Sequence, residues 1–479
     1  MIRDGHPEAP TRWADLRVGG NLPRFLVLCL GVWLHAADVL LVATVMPSAV
    51  KDIGGIAYMS WAISLYDVAS IVAMAATANL ALRLGLRGAM GWMAAVYALG
   101  CLASALAPSM AVMLFGRLLQ GLGGGALVAL ACVAVARLFP ERLMPRLMAL
   151  ISAIWGVSAL CGPLIGGAFA SAGWWRGGFW AFALQAGVLL VAALLLLRAG
   201  AGNRRDEAVG RVPWARLAML AVAIVAVAEA GARVSLLWSV ALVIVGLALF
   251  WLCLRRDAGA EERLLPRGAL DPRRSTGVGL MAVFLLSLST MSLTVYGPLL
   301  LTVLHGADPL VGGYLVALES AAWSAGAIAC AGAGRRAEPW LIRMGALSIL
   351  LGLVGLGFAM TPGPVLALVP WALLQGVGFG LAWAFMIRRV VAGAAADDSE
   401  RAASALPTLQ LVGYALGSSL CGMVANALGF ADGVSLEEAR IVGFWVFAAF
   451  LPPVALGVVA AWRLAGPLSG RTGGEARGA

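Results

Sequence analysis

Apolar stretches of about 20 residues, the length a helix needs to cross a bilayer, recur along the whole chain with only short polar segments between them. Fourteen such helices are predicted, at roughly 24–46, 57–80, 88–107, 110–137, 147–171 and 178–198, then 214–231 and 235–254, then 276–302, 310–333, 340–360, 364–388, 404–428 and 441–464. The pattern predicts an all-α polytopic membrane protein. It divides the chain into a cytoplasmic N-terminal segment (1–23), a six-helix bundle (24–198), linkers with two inserted helices (199–275), a second six-helix bundle (276–464) and a cytoplasmic tail (465–479). The polar N-terminus runs into a long first apolar stretch, which reads as a retained span rather than a cleaved signal.

The cations test this parse, because Lys and Arg accumulate on the cytoplasmic side only if the helix count is right. Twenty-nine of the 34 fall on one side, including Arg83 and Arg87 after the second span, six between Arg255 and Arg274, and Arg388 with Arg389. Only Lys51, Arg176, Arg233 and Arg440 lie opposite, and Arg117 falls within the fourth span. An even helix count with both termini cytoplasmic follows.

Composition excludes large soluble domains: 62% of residues are hydrophobic and 12% charged, with a mean hydropathy of +0.93. The net charge of +10 is a topological signal, since its cations sit in membrane loops, and it predicts no nucleic-acid partner. Cys29, Cys101, Cys132, Cys161, Cys253, Cys330 and Cys421 stand singly in apolar runs beside only three histidines. That pattern provides no disulfide framework, no metal spacing and no cofactor site. Thirty-three arginines to one lysine, with abundant Ala and Gly, fit a GC-rich bacterial gene and so a bacterial inner membrane.

The chain also repeats itself, as transporters commonly do. Leu118-Leu119-Gln120-Gly121-Leu122-Gly123-Gly124-Gly125 returns as Leu373-Leu374-Gln375-Gly376-Val377-Gly378-Phe379-Gly380, an offset of 255 that also carries Gly162 to Gly417 and Gly167 to Gly422. The copies differ at Arg117, which becomes Ala372. Packing through small residues has no need of that arginine.

An ionised group in mid-membrane costs at least ~2.5 kcal/mol, so each one asks for a partner, a cavity or a function. Asp38, Asp67, Arg117 and Glu319 are such groups, with His35 beside them. A rise of ~1.5 Å per residue puts Asp38 and Arg117 at one depth, ~12 Å from the periplasmic end, and Asp67 and Glu319 at ~15 Å. Asp38 and Arg117 therefore form either a structural ion pair or a proton switch, in which burial favours the protonated carboxyl and the arginine favours the ionised one. Asp67 and Glu319 either hydrate a pathway or bind substrate or protons, and His35 either hydrogen-bonds within the bundle or joins them. Three acids to one arginine favour cationic or proton-carrying cargo. Trp33, Trp61, Tyr66, Trp155, Trp323 and Trp383 are candidate aromatic walls for it.

These residues resemble the major facilitator superfamily, and the inserted helices resemble its fourteen-helix drug/proton antiporter branch. Asp38 to Pro47 is similar to the branch pattern D-x-T-I-V-N-V-A-L-P, with Leu40 and Ala43 departing from it, and Trp61 with Tyr66 is similar to W-x4-Y. Arg117-Leu-Leu-Gln120-Gly121 resembles R-x-x-Q-G, whose arginine the resemblance links to proton coupling. Gly156, then Gly162-Pro163-Leu-Ile-Gly166-Gly167, resembles the G-P-x-x-G-G antiporter motif, read as a hinge between outward-open and inward-open states or as a static packing kink. The loop after the second span carries Arg83, Gly85 and Arg87 of the family's gate pattern, but Leu82 replaces its acid. Gly334-Arg335-Arg336 resembles an eroded second copy.

The resemblance implies a major facilitator fold and export of small amphipathic compounds, drugs among them, in exchange for protons by alternating access. Asp38 and Arg117 would couple the proton. His35, Asp67, Glu319, Trp61, Tyr66, Gln120, Trp323 and Gln375 would line the pathway. The partners are then substrate, protons and the lipid bilayer, and nothing in the chain identifies a periplasmic adaptor. The rivals are a symporter or uniporter of one metabolite and a non-transporting structural or sensory protein. A membrane enzyme is disfavoured, because no loop gathers nucleophile, base or metal ligands. The two inserted helices are expected to form a peripheral, lipid-facing pair.

Overall fold

The computed structural model describes residues 21–139, 143–197, 212–232, 236–260, 263–395, 398–430 and 436–466, and among them it is all-helical. Residues 1–20 of the N-terminal segment, Arg142, 198–211, Arg233 and the tail beyond 466 lie outside the described residues. Helices are what the sequence dictates here, because lipid offers no hydrogen bonds and a spanning segment must satisfy its own backbone.

The helices are α1 (Asn21–Ile53), α2 (Trp61–Ala105), α3 (Met110–Leu138), α4 (Met144–Ser171), α5 (Arg176–Leu196), α6 (Trp214–Ala232), α7 (Leu236–Ala258), α8 (Ser275–Ser289), α9 (Met291–His305), α10 (Pro309–Cys330), α11 (Glu338–Ala359), α12 (Val369–Gly393), α13 (Ser399–Ala427), α14 (Leu436–Ala448) and α15 (Leu451–Leu464). Twelve helical stretches of the described residues are long and apolar enough to cross a membrane. Those twelve do not include α6 and α10, helices of 19 and 22 residues that pack in the same bundle. Large apolar side chains such as Leu184, Leu195, Ile328 and Phe358 face outward, as a bilayer requires.

The second and third predicted spans are joined differently from expectation. The intervening segment is no loop: helix continues from Trp61 to Ala105 apart from Gly85, at φ 67° and ψ 164°. A left-handed φ is open to glycine at little cost, so one residue turns the chain where the predicted spans leave a seven-residue connection, 81–87. Arg83 is exposed and Arg87 half-buried on either side of it.

α1 packs on α3, α4 and α5, and α2 on α3 and α5; in the second group α8 packs on α12, α13 and α15, and α10 and α11 pack on α12. Glycines set these contacts. A Cβ on Gly121 or Gly125 would strike the backbone of α2 at Tyr66 and Ser70, and one on Gly123 would lie 2.6 Å from Tyr97 Cβ. The second copy repeats this: Gly376 and Gly380 press on α10 at Glu319 and Trp323, and Gly378 on α11 at Gly345 and Ile349. Tyr66 and Glu319 thus hold equivalent places in the two groups, as do Ser70 and Trp323.

Hydrogen bonds between the groups lie toward the ends opposite the arginine-rich loops. Ser171 of α4 donates to Asp308, the N-cap of α10, and Ser64 of α2 meets Ser418 and Ser419 of α13 at 2.9 and 3.0 Å. Asn426 reaches the Ala57 carbonyl at 2.8 Å.

The inserted pair departs from the expectation too. α6 packs on α2 and α13 as well as on α7, burying Leu217, Ala223, Ile224, Val227 and Ala230, so only α7 is peripheral, with Leu237 and Trp238 exposed. The Ala-rich stripe of α6 lets it approach its neighbours closely.

At the arginine-rich end, Glu338 of α11 is 7% exposed and pairs with Arg388 and Arg389 of α12, each at 2.6 Å. Arg389 continues to the carbonyls of Leu464 and Gly466 at 2.5 and 2.7 Å, clasping three helix ends. Glu338→Gln is expected to lower stability by about 2 kcal/mol, the loss of charged hydrogen bonds at a buried site. A lowered thermal unfolding midpoint in detergent, with the Glu338→Asp midpoint falling between, is the check.

Candidate functional site

Arg117 lies on the Gly-rich face of α3, where close approach to α2 brings it under a roof of other side chains. It is wholly buried, as is Asp38 of α1, and its Nη1 lies 2.8 Å from Asp38 Oδ2. The same nitrogen donates to Gln120 Oε1 at 2.7 Å, and Nε donates to the Ala62 carbonyl at 3.0 Å. The guanidinium rests 4.2 Å from the centre of the Tyr66 ring, a cation–π contact worth about 2 kcal/mol when desolvated. Gln120 passes the network on, its Nε2 donating to Cys101 Sγ at 3.1 Å.

The pair is not saturated. Asp38 Oδ1 and Arg117 Nη2 are buried without a well-formed hydrogen bond, with the Tyr97 side chain beside the Asp38 carboxyl. A pair serving only as a staple would be expected to use both, because an unpaired buried polar atom costs about 1–3 kcal/mol.

His35, one turn before Asp38, is 1% exposed. Its Nδ1 lies 2.8 Å from the Tyr66 hydroxyl, and its ring meets Trp155 of α4 edge-on at 5.7 Å. His35, Asp38, Tyr66, Arg117 and Gln120 therefore form one cluster. Tyr97 and Cys101 belong to it as well and escaped the sequence reading; Tyr97 donates to the Leu34 carbonyl at 3.0 Å. Their only sequence signal was an i,i+4 spacing on the helix opposite the glycines.

The second group holds a smaller set. Gln375 Nε2 donates to Glu319 Oε1 at 2.6 Å, while Gln375 Oε1 has no partner. Trp323 stacks on Phe379 at 4.7 Å and meets Trp383 at 6.1 Å. Asp67 is 1% exposed and its Oδ2 lacks a partner. Asp67 and Glu319 both act electrostatically on Tyr414 of α13, whose hydroxyl accepts from Gln410 at 2.8 Å. No His/Cys/Asp/Glu cluster able to hold a metal occurs among the described residues.

Two of the aromatic candidates have other neighbours. Trp61, next in the chain to Ala62, whose carbonyl accepts from Arg117, starts α2 and meets Tyr58. Trp33 donates to Gln185 of α5 at 2.9 Å, which ties two helices together.

The G-P-x-x-G-G segment serves two partners. Gly162 and Gly166 face α1, where a Cβ on Gly162 would lie 2.6 Å from the Ala37 carbonyl oxygen and one on Gly166 would strike Leu41. Gly167 faces α10, 2.9 Å from Leu310 Cα on the same measure, and a Cβ on Gly313 would lie 2.5 Å from the Pro163 carbonyl oxygen. Gly156 comes near Ser324, also on α10. Thr44 of α1 donates to the Pro163 carbonyl at 3.2 Å.

Comparison with known proteins bears on this arrangement. The sequence profile of the Major Facilitator Superfamily matches residues 28–418. A Mycobacterium tuberculosis protein described as a "Probable multidrug-efflux transporter" is 30% identical over 468 residues, covering 94% of this chain and 96% of its own. An Aspergillus oryzae protein described as an "MFS efflux transporter" is 26% identical over 424 residues, covering 84% and 75%. Among solved structures, a D-xylose-proton symporter superposes with a TM-score of 0.64 at 15% identity, covering 92% of this chain and 97% of its own. A nucleoside transporter does so with a TM-score of 0.63 at 10% identity, covering 92% and 99%. These two are likenesses of fold.

Proposed function

The chain belongs to the Major Facilitator Superfamily and is a transporter of small molecules rather than an enzyme, and from that premise we propose that it exports amphipathic, cationic compounds in exchange for protons. The observation that carries the reading is the buried, half-satisfied Asp38–Arg117 pair. Protonating Asp38 removes the charge that holds Arg117 Nη1, and the guanidinium then shifts its weight to Gln120, the Ala62 carbonyl and the Tyr66 ring. A proton is thereby exchanged for a movement of α1 against α3. Alternating access requires only that the two states differ in affinity for proton and for cargo.

In this reading the chain forms two six-helix halves and the α6–α7 pair, fourteen spans with both termini in the cytoplasm of a bacterial inner membrane. The contacts of α4 with α10 and of α2 with α13 close the periplasmic side, so the conformation faces inward. Cargo sits between Asp67, Glu319 and Tyr414, with Trp323 and Trp383 as an aromatic wall. The acid-free gate segment at Leu82 leaves closure of the cytoplasmic side to other contacts.

The test is intravesicular pH in proteoliposomes, with cationic, neutral and anionic amphipathic compounds added in turn. Proton flux that depends on a cationic compound, and that Asp38→Asn abolishes, is the expected result. Labelled compound that equilibrates without proton movement would make the protein a uniporter and sink the antiport reading.

A further inference from the structure

We infer that Glu319 is a proton site of the second half, at which proton and cargo cation take one carboxylate in turn, and that Gln375 is the positioning residue that seats the proton. This rests on the antiport reading above and adds to Asp38 a second group whose proton is exchanged.

The two halves treat their buried acids differently. Asp38 has Arg117 as a fixed counter-cation at 2.8 Å. Glu319 has no ion-pair partner among the described residues, and Ala372 stands at the position equivalent to Arg117. An uncompensated charge in mid-membrane is costly, so Glu319 needs a visiting cation, and antiport supplies two: the cargo and the proton. Glu319 is half-buried, so either reaches it from the pathway without an intermediary.

Gln375 shows how the proton is held. Its Nε2 donates to Glu319 Oε1 at 2.6 Å, and its own Oε1 is buried without a partner. An ionised carboxylate cannot satisfy that oxygen, because both carboxylate oxygens only accept. A neutral carboxyl can. With Nε2 still donating to Glu319 Oε1, an O–H on Glu319 Oε2 donates to Gln375 Oε1 and closes a two-bond ring of acid and amide. In the first copy the same amide is satisfied by other means: Gln120 Oε1 accepts from Arg117 at 2.7 Å and Nε2 donates to Cys101 Sγ at 3.1 Å. Where Arg117 has become Ala372, the proton on Glu319 takes the part of the guanidinium N–H.

In the exchange, a cargo cation leaves the carboxylate, a proton from water forms the O–H bond on Oε2, and the ring closes. When cargo returns, that O–H bond breaks, the proton passes to water and the cation takes its place. Of the groups that face Glu319, α12 supplies Gln375 and α13 supplies Tyr414, on which Asp67 of α2 also acts. The other helices packed on α10, which are α1, α4 and α9, bring no charged group that acts on Glu319.

The experiment measures binding of tetraphenylphosphonium, a monovalent cation without a titratable proton, to the full chain in detergent between about pH 5 and 9. Protons released are read with an indicator dye in weak buffer. Wild type is expected to bind more tightly as pH rises, by up to about tenfold per pH unit, and to level off once Glu319 is ionised. Glu319→Gln is expected to release about one proton fewer per cation bound. Gln375→Leu keeps the carboxyl and separates two roles of the amide. Loss of the proton's seat moves the levelling-off down by about one pH unit, whereas loss of a mere donor to the carboxylate would move it up. Equal proton release by Glu319→Gln and wild type would overturn the Glu319 site and leave antiport at Asp38 standing. An upward or absent shift in Gln375→Leu would overturn the seat, and where Glu319→Gln binds too weakly to read, that shift decides alone. A wild type that neither binds the cation nor shows compound-driven proton flux in proteoliposomes would remove antiport and this inference together.

Discussion

Arg117→Ala is expected to destabilise the protein by about 3–5 kcal/mol, the cost of leaving a buried carboxylate without its partner, and to abolish pH-driven transport. Asp38 is 0% exposed and Arg117 is its ion-pair partner, so the carboxylate is cut off from bulk solvent and leans on that cation. Three further contacts go with the guanidinium, those to Gln120, the Ala62 carbonyl and the Tyr66 ring. The control is Asp38→Asn in the same chain. The double variant should recover most of the stability, because the uncompensated charge is gone, and none of the transport. Thermal unfolding in detergent measures the first and intravesicular pH the second. A double variant no more stable than Arg117→Ala would mean that lost packing, not charge, caused the destabilisation. Arg117→Lys is expected to fall between, since an ammonium lacks the planar fork that meets three acceptors at once.

That centre was legible because the bilayer makes charge conspicuous. Asp38 and Arg117 stand out from apolar runs, and the helical rise alone brings them to one depth. What surrounds them was not legible, for the same reason. Tyr97 and Cys101 are neutral and sit in an apolar stretch, so nothing in the sequence separates them from packing residues until α2 lies against α3. Hydropathy likewise reports that α6 avoids water, but a helix packed on α2 and α13 and one facing lipid have the same composition. The Gly85 turn reads as a loop because arginines flank it, yet a single left-handed residue turns the chain there. Trp33 is a candidate by residue type and Trp61 also by its W-x4-Y spacing with Tyr66; the Trp33 indole instead bonds Gln185 of α5. The repeat was the strongest guide: its glycines mark which backbones meet, and the offset between copies then identifies Tyr66 and Glu319 as equivalent positions with different chemistry.

Gly167→Val and Gly162→Val are expected to fail in different ways, although both change one short motif. Gly162 presses on α1 within the same group of helices, and a side chain there meets the Ala37 carbonyl beside Asp38. That clash is present in every conformation in which α1 and α4 stay packed, so the variant should lose stability and yield. Gly167 presses on α10 across the seam between the groups, at Leu310. Its clash exists only while that seam is closed, so the fold survives and the equilibrium moves toward the state in which the seam is open. Overpacking costs about 1–3 kcal/mol, a shift of roughly five- to 150-fold in the ratio of closed to open state. Cysteines at Ser171 and Asp308, adjacent across the same seam, report it. Crosslinking should be efficient in the otherwise unchanged chain and should fall at least roughly fivefold with Gly167→Val, with little change in the unfolding midpoint. Gly313→Val, which meets Pro163 from the other side, should behave as Gly167→Val does. Undiminished crosslinking in both would mean that the motif is a fixed packing element and that the seam does not open during transport.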